Sequence, residues 1–273
     1  MLLVLRLYVA LGYDCMMPRL LAVFAHPDDE SFCCGGTLAR LAAQGVHIDL
    51  LCLTRGEAGH VAPQLLAGRT IAQLRQLELE KACQILGTQA PRFLEYHDSG
   101  FRRPSQLSNR LVDADIFAVA REVAAVIAQT QPDVLLTFDP RGFYGHPDHI
   151  ATHRIASAAF FSSQAPKQLL YIMPTVAMLE RFNQAGFGSF DSAEFALSDP
   201  FLSIDCTAVL ESKRQAILAH QSQSAIGSGI DKLLPELHSQ SSSQVFSQEV
   251  FALGGTRVAV PRFGISQIAW EDF

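Results

Sequence analysis

Apolar runs and polar breaks alternate in a regular order over the first two thirds of the chain. Residues 20–24 are apolar without polar alternation, the pattern of a strand buried on both faces of a parallel sheet. Residues 31–44 then place Leu38, Leu41 and Ala42 at helical spacing and stop at Gly45, a residue suited to the left-handed position after a helix. Gly35 and Gly36 weaken this helix locally and permit close approach of its backbone to a neighbour. The alternation continues through strand 46–53, helix 71–86, strand 92–96, helix 113–129, strand 134–138, helix 147–161 and strand 168–173. Beyond Pro174 it loosens. The Gly- and Phe-rich stretch 182–192 reads as a loop, 201–206 as a strand and 207–221 as a helix, while 222–248, rich in Ser, Gln and Gly, reads as a surface segment.

This order predicts an α/β fold: a Rossmann-like, doubly wound, mainly parallel sheet with helices on both faces and the active site at the strand carboxyl ends. No internal repeat is visible. Residues 17–273 read as one domain. Residues 1–16 read as an extension before it, because 1–13 are apolar apart from Arg6 but too short to span a bilayer and lack a basic flank or cleavage site.

Composition narrows the partners. The chain has 273 residues, 49% of them hydrophobic and 18% charged, with a formal charge of −6. That balance, with no basic run, argues against a nucleic-acid or anionic-membrane surface and for a small neutral or cationic substrate. Six cysteines without Cys-x-x-Cys spacing sit mostly in apolar stretches, as reduced buried thiols do, which points to a reducing, cytoplasmic setting.

Two apolar runs end in chemistry. The first leads into His26-Pro27-Asp28-Asp29-Glu30, the second into Gly145-His146-Pro147-Asp148-His149. A catalytic zinc site takes three protein ligands of His or carboxylate type and keeps a fourth position open. His26 and Asp29, three residues apart across a strand-to-helix turn, can reach one ion, and a histidine from the second strand end completes the set. His149 is that candidate, flanked by His146 and Asp148. Acidic residues after a proline also serve as helix N-terminal devices, but two His-Pro-Asp clusters at two strand ends exceed that need. The rival pair His149 and His153, four apart on a helix, would leave the first cluster without a metal, so His153 is placed in packing or in support of the ligands. Two histidines and one carboxylate equally describe an Fe(II) triad.

These residues carry a resemblance. The runs Ala25-His26-Pro27-Asp28-Asp29-Glu30 and Thr54-Arg55-Gly56-Glu57-Ala58-Gly59 resemble the PIG-L or LmbE-like zinc-dependent N-deacetylases. So do Arg75 with Glu78 and Ala82, Tyr144-Gly145-His146-Pro147-Asp148-His149, and His220-Gln221-Ser222-Gln223. The resemblance implies metal ligation by His26, Asp29 and His149, with Asp28 as general base. It implies that His146 stabilises the oxyanion or acts as acid, that Asp148 tunes it, and that Tyr144 polarises the carbonyl. It places Arg75 and Asp98 at positions that contact substrate, and it makes the substrate an N-acylated amino sugar or sugar conjugate. One divalent ion, zinc or Fe(II), is the expected cofactor, no nucleic-acid or membrane partner is expected, and a homo-oligomer is left open. An amidase for another amide, such as a thiol conjugate, and a non-catalytic metal- or carbohydrate-binding module are the alternatives. Asp28 and His146 speak against the module, since neither is needed to hold the ion. For Arg75 a solvated helix face, for Asp98 a plain turn and for His220 core packing remain the competing readings.

Overall fold

The computed structural model describes residues 18–186, 189–191, 200–224 and 243–257; the expected extension 1–16 and most of the segment 222–248 lie outside these. Five strands run parallel: β1 (Arg19–Phe24), β2 (His47–Thr54), β3 (Arg92–Tyr96), β4 (Val134–Phe138) and β5 (Gln168–Met173). Two more complete the sheet, β6 (Leu202–Asp205) and β7 (Gln248–Thr256), and the order across it is β3-β2-β1-β4-β5-β7-β6. β7 is antiparallel to both of its neighbours. It pairs in the sheet interior, where the sequence reading has no strand.

The main helices are α1 (Asp29–Ala43), α2 (Ile71–Leu86), α3 (Ile116–Thr130), α4 (Pro147–Ser162), α5 (Val176–Ala185) and α6 (Leu210–Ala219). Alternate residues of each strand feed two cores. Leu20, Ala22 and Phe24 of β1 join Leu136 and Phe138 under α1, α2 and α6, whereas Leu21, Val23 and Leu135 meet Val119, Val123 and Ile155 of α3 and α4. Both faces of β1 and β4 are therefore covered, which is why their sequences are apolar apart from Arg19 at the start of β1 and Thr137 in β4.

Two local features differ from or sharpen the sequence reading. Helix α5 runs through Phe182, which the composition places in a loop. Its start is fixed by the Thr175 hydroxyl, which accepts from Met178 N, and its end by Gly186 at φ 80°. Helix α1 is broken at Cys34 (φ −147°), and Gly36 lies so close to the segment after β6 that a Cβ there would stand 2.5 Å from Cys206 Cβ. The break frees the N–H groups of Gly36 and Thr37, and both donate to the Glu249 carboxylate (2.9 and 2.7 Å). Lys213 Nζ reaches the same carboxylate at 2.6 Å, with both side chains buried.

The sheet order reverses at β1: β2 and β3 lie to one side, β4 and β5 to the other. Such a switch point opens a crevice at the carboxyl ends of the two diverging strands. The two His-Pro-Asp clusters follow the ends of β1 and β4.

Candidate active site

The first cluster is a turn closed by its own side chains. Asp29 Oδ2 accepts from His26 N at 2.8 Å, and Asp28 O accepts from Ser31 N and Phe32 N. Asp28 takes φ 118°, a left-handed conformation that a non-glycine residue holds only when its surroundings impose it. The second cluster enters α4 through Pro147 in its first turn, and the His146 side chain caps the helix by accepting from Asp148 N through Nδ1 at 3.1 Å. With Nδ1 occupied as acceptor, the neutral imidazole carries its proton on Nε2.

The switch point brings these groups into one buried set. His149 Nε2 lies 3.1 Å from Asp29 Oδ1, and His26 Nδ1 lies 3.6 Å from Asp29 Oδ2. His26 Nε2 faces Asp148 Oδ2 at 3.0 Å and Asp98 Oδ1 at 3.5 Å. The ring of His146 stacks on His149 (centroids 4.9 Å apart) and on Phe101 (5.2 Å). The ring edge of Tyr144 approaches His149 at 5.0 Å.

Burial and charge set the protonation states. Burial pulls His26 down, but the charge of Asp98 and the hydrogen bonds to Asp148 and Asp29 outweigh it and hold His26 well above the usual histidine range. Burial and the charges of His26 and His149 push His146 down to about 2. Burial would raise Asp29, yet the charge and hydrogen bonds of His149 and His26 keep it well below the usual carboxylate range. Asp28 goes the other way: burial pushes it up to about 6 against the pull of Arg75.

The residues fit a divalent ion. His149 is locked by Phe138, stacked on its ring at 4.0 Å, and by Gly142 O, 3.2 Å from Nδ1. That leaves Nε2 buried and directed at the Asp29 carboxylate, 3.1 Å from Oδ1. A histidine held through Nδ1 by a backbone carbonyl, with Nε2 presented to an acidic group, is how a metal-binding imidazole is oriented. His26, His146 and His149 form one set able to hold an ion, and His26, Asp98, His146 and Asp148 a second, overlapping one. Cys33 and Cys34 are buried in the core. His153 lies apart, with Nδ1 2.9 Å from Phe138 O and its ring against Tyr171.

Three placements alter the sequence reading. The Asp148 carboxylate, expected to tune His146, contacts His26 and accepts from Ser99 N (2.8 Å) instead. The hydrogen bond between Asp148 and His146 is the one from the Asp148 backbone N–H to Nδ1, while the Asp148 carboxylate spends its hydrogen bonds on His26 and Ser99. Arg75 is not on a solvated face: it is buried and forms an ion pair with Asp28 Oδ2 at 3.2 Å. Its guanidinium also donates to Gly56 O (2.8 Å) and Pro27 O. Gly56 has φ +69°, and a Cβ there would meet Arg75 at 2.1 Å, so glycine in the Thr54–Gly59 loop is required by the guanidinium lying against it. Asp98 is buried beside His26, its own N–H held by Glu57. A substrate contact from Arg75 or Asp98 would be made in addition to these.

A family model described as PIG-L, GlcNAc-PI de-N-acetylase, matches residues 21–160, the span that holds both clusters. The chain belongs to the PIG-L family. A relative from Thermobifida fusca, named 1D-myo-inositol 2-acetamido-2-deoxy-alpha-D-glucopyranoside deacetylase, is 37% identical over 241 residues, covering 76% of this chain and 84% of its own. One of the same name from Mycobacterium sp. (strain KMS) is 34% identical over 233 residues, covering 77% of this chain and 76% of its own. Among solved structures, the N,N'-diacetylchitobiose deacetylase of Pyrococcus horikoshii superposes with a TM-score of 0.63 at 22% identity, covering 91% of this chain and 90% of that one. At that identity the likeness shows the fold, and the PIG-L α/β architecture expected from the alternation of strands and helices is the one observed.

Proposed function

We propose that the protein is a zinc-dependent N-deacetylase that removes an acetyl group from the amino nitrogen of a glucosamine conjugate. A glucosaminyl-inositol is the first substrate to examine, because relatives that share most of this chain's length are named for it. The observation that carries the reading is the buried Nε2 of His149 facing the Asp29 carboxylate at 3.1 Å with His26 on its other oxygen, and Asp28 alongside, pushed into the range of a general base.

His26, Asp29 and His149 would hold the ion. When bound, zinc supplies a water acidified towards a pKa of about 7 and a positive charge that polarises the amide carbonyl. The remaining chemistry belongs to the side chains. Asp28 Oδ2 is engaged by Arg75, so Oδ1 takes the proton of the attacking water and later delivers it to the departing amine. The His146 ring, neutral with its proton on Nε2, donates to the oxygen that gains charge as the carbonyl becomes tetrahedral. Tyr144, whose ring lies edge-on to His149, helps polarise the acetyl carbonyl. Asp148 and Asp98 orient His26.

The test is release of free amine from N-acetylglucosaminyl-inositol and a panel of N-acetylated amino sugars. It is run with the zinc-loaded protein and after chelation. Asp28→Asn should keep the metal and lose turnover by about a hundred- to ten-thousand-fold. Near-normal turnover in that variant would remove Asp28 from its role and favour a different base.

A further inference from the structure

His220 is a buried, titratable side chain to which the deacetylation steps give no task. It ends α6, its Nε2 lies 2.8 Å from Glu30 Oε1, and its Nδ1 is buried without a hydrogen-bond partner. Burial lowers its pKa, but the charge of Glu30 and the hydrogen bond to it raise it overall. Glu30 is itself fully buried. Its other oxygen, Oε2, accepts from Asp28 N at 3.0 Å, and Ser31 Oγ shares Oε1. One carboxylate thus links a residue from the last third of the chain to the backbone of Asp28, the residue whose φ of 118° needs outside support.

A second contact reinforces the first. Two residues on, Ser222 donates to Glu78 from both its backbone N–H (2.7 Å) and its hydroxyl (2.6 Å). Glu78 stands on α2 three residues after Arg75, one turn along the same face. The turn at 220–222 therefore grips both supports of Asp28: the carboxylate that holds its backbone, and the helix that carries the guanidinium on its side chain.

We propose that Glu30 and His220 are positioning residues that hold Asp28 in its working conformation, so that the C-terminal part of the chain sets the rate of proton transfer without touching substrate. The proposal rests on the reading of Asp28 as general base. Neither residue is needed to bind the ion or the sugar. Their loss acts on the geometry of one carboxylate, where a displacement on the order of 1 Å costs about a hundredfold in rate.

The test uses full-length, zinc-loaded protein with N-acetylglucosaminyl-inositol, with kcat and KM measured separately and bound zinc counted. His220→Leu removes the donor to Glu30. It should lower kcat by about ten- to a hundredfold, leave KM within about twofold, and retain the metal. His220→Gln, whose amide can still donate to Glu30, should recover most of the loss. In an Asp28→Asn background His220→Leu should lower the residual rate no further, because the group it positions no longer acts. A kcat equal to wild type in His220→Leu overturns the proposal, as does an equal fold-loss in both backgrounds or a His220→Gln variant as slow as His220→Leu. If His220→Leu does not fold, Glu30→Gln takes its place, with a kcat loss at full zinc content expected and an unchanged kcat or lost zinc refuting. Near-normal turnover in Asp28→Asn sinks the base assignment itself, whereas an inactive Asp28→Asn beside an unimpaired His220→Leu sinks only the brace.

Discussion

Changing Glu249 to Gln removes a charge at the point where three distant segments meet. The carboxylate accepts from Lys213 Nζ and Gly36 N through one oxygen and from Thr37 N through the other. Glutamine keeps one acceptor, so one backbone N–H faces an amide NH2 and Lys213 loses its counter-charge. An unpaired buried ion costs about 3–5 kcal/mol, less whatever water can relax. An orphaned buried N–H adds about 1–3 kcal/mol. Against a total stability on the order of 5–15 kcal/mol, Glu249→Gln should consume about a quarter of it or more. Lys213→Met should cost less, because Glu249 then keeps two charge-assisted bonds from the broken turn of α1. The double variant, with no buried charge left, should be more stable than Glu249→Gln alone, a coupling of about 3 kcal/mol or slightly less. Urea unfolding followed by circular dichroism reads all three. A Glu249→Gln protein within about 1 kcal/mol of wild type, beyond the usual scatter of extrapolation, would refute this account, as would simple additivity in the double variant.

Four further outcomes follow from the site and the core. His149→Ala should lose bound zinc by elemental analysis while His153→Ala keeps it, since only His149 faces Asp29. Gly56→Ala should lower kcat by about tenfold or more without loss of zinc, because its Cβ displaces the Arg75 guanidinium from Asp28; a crystal structure of the variant with Arg75 unmoved would contradict the argument. His146→Ala should lower kcat more than it alters KM, as expected of a donor aimed at charge that exists only in the transition state, and the reverse pattern would move His146 to substrate binding. Burial raises the thiol pKa of Cys33, Cys34, Cys52, Cys83 and Cys206, so peptide mapping after treatment of the native protein with iodoacetamide at pH 8 should find none of the five labelled.

The parallel half of the fold was legible because burial on both faces writes itself as uninterrupted apolar runs. Strands 92–96, 134–138 and 168–173 and helix 71–86 have the predicted bounds. β7 was not legible. Its apolar run, Val250 to Leu253, is only four residues long, opens on the carboxylate of Glu249 and closes on Gly254 and Gly255, which weakens it as a strand signal after a Ser- and Gln-rich stretch. The two strand-end clusters could be read as convergent because the sheet rule puts parallel strand ends on one rim. The partners of Asp28 could not. Arg75 and His220 each look ordinary alone, and what draws them to Asp28 is the packing of α2 and α6 against α1, a long-range fact with no local trace. The usable signals were Arg75 with Glu78 on the helix 71–86 and the polar quartet His220-Gln221-Ser222-Gln223 directly after a helix, both of which the resemblance had already picked out without linking them to Asp28.

His26, Asp28 and Asp29 directly follow β1, Tyr144 to His149 lie in the segment that leaves β4, and the surrounding rim is built differently. Residues 63–64 and 67–70 are solvent-exposed around a single helical turn, and so are 101–104 and 106–109 in the segment that carries Phe101 over His146. Loops of this kind change length at small entropic cost and without disturbing the strands that bear them. For an engineer the molecule is thus already partitioned: segments 61–69 and 101–109 are the places to graft, lengthen or randomise when a different glycan is wanted, and the two strand ends are the part to leave untouched.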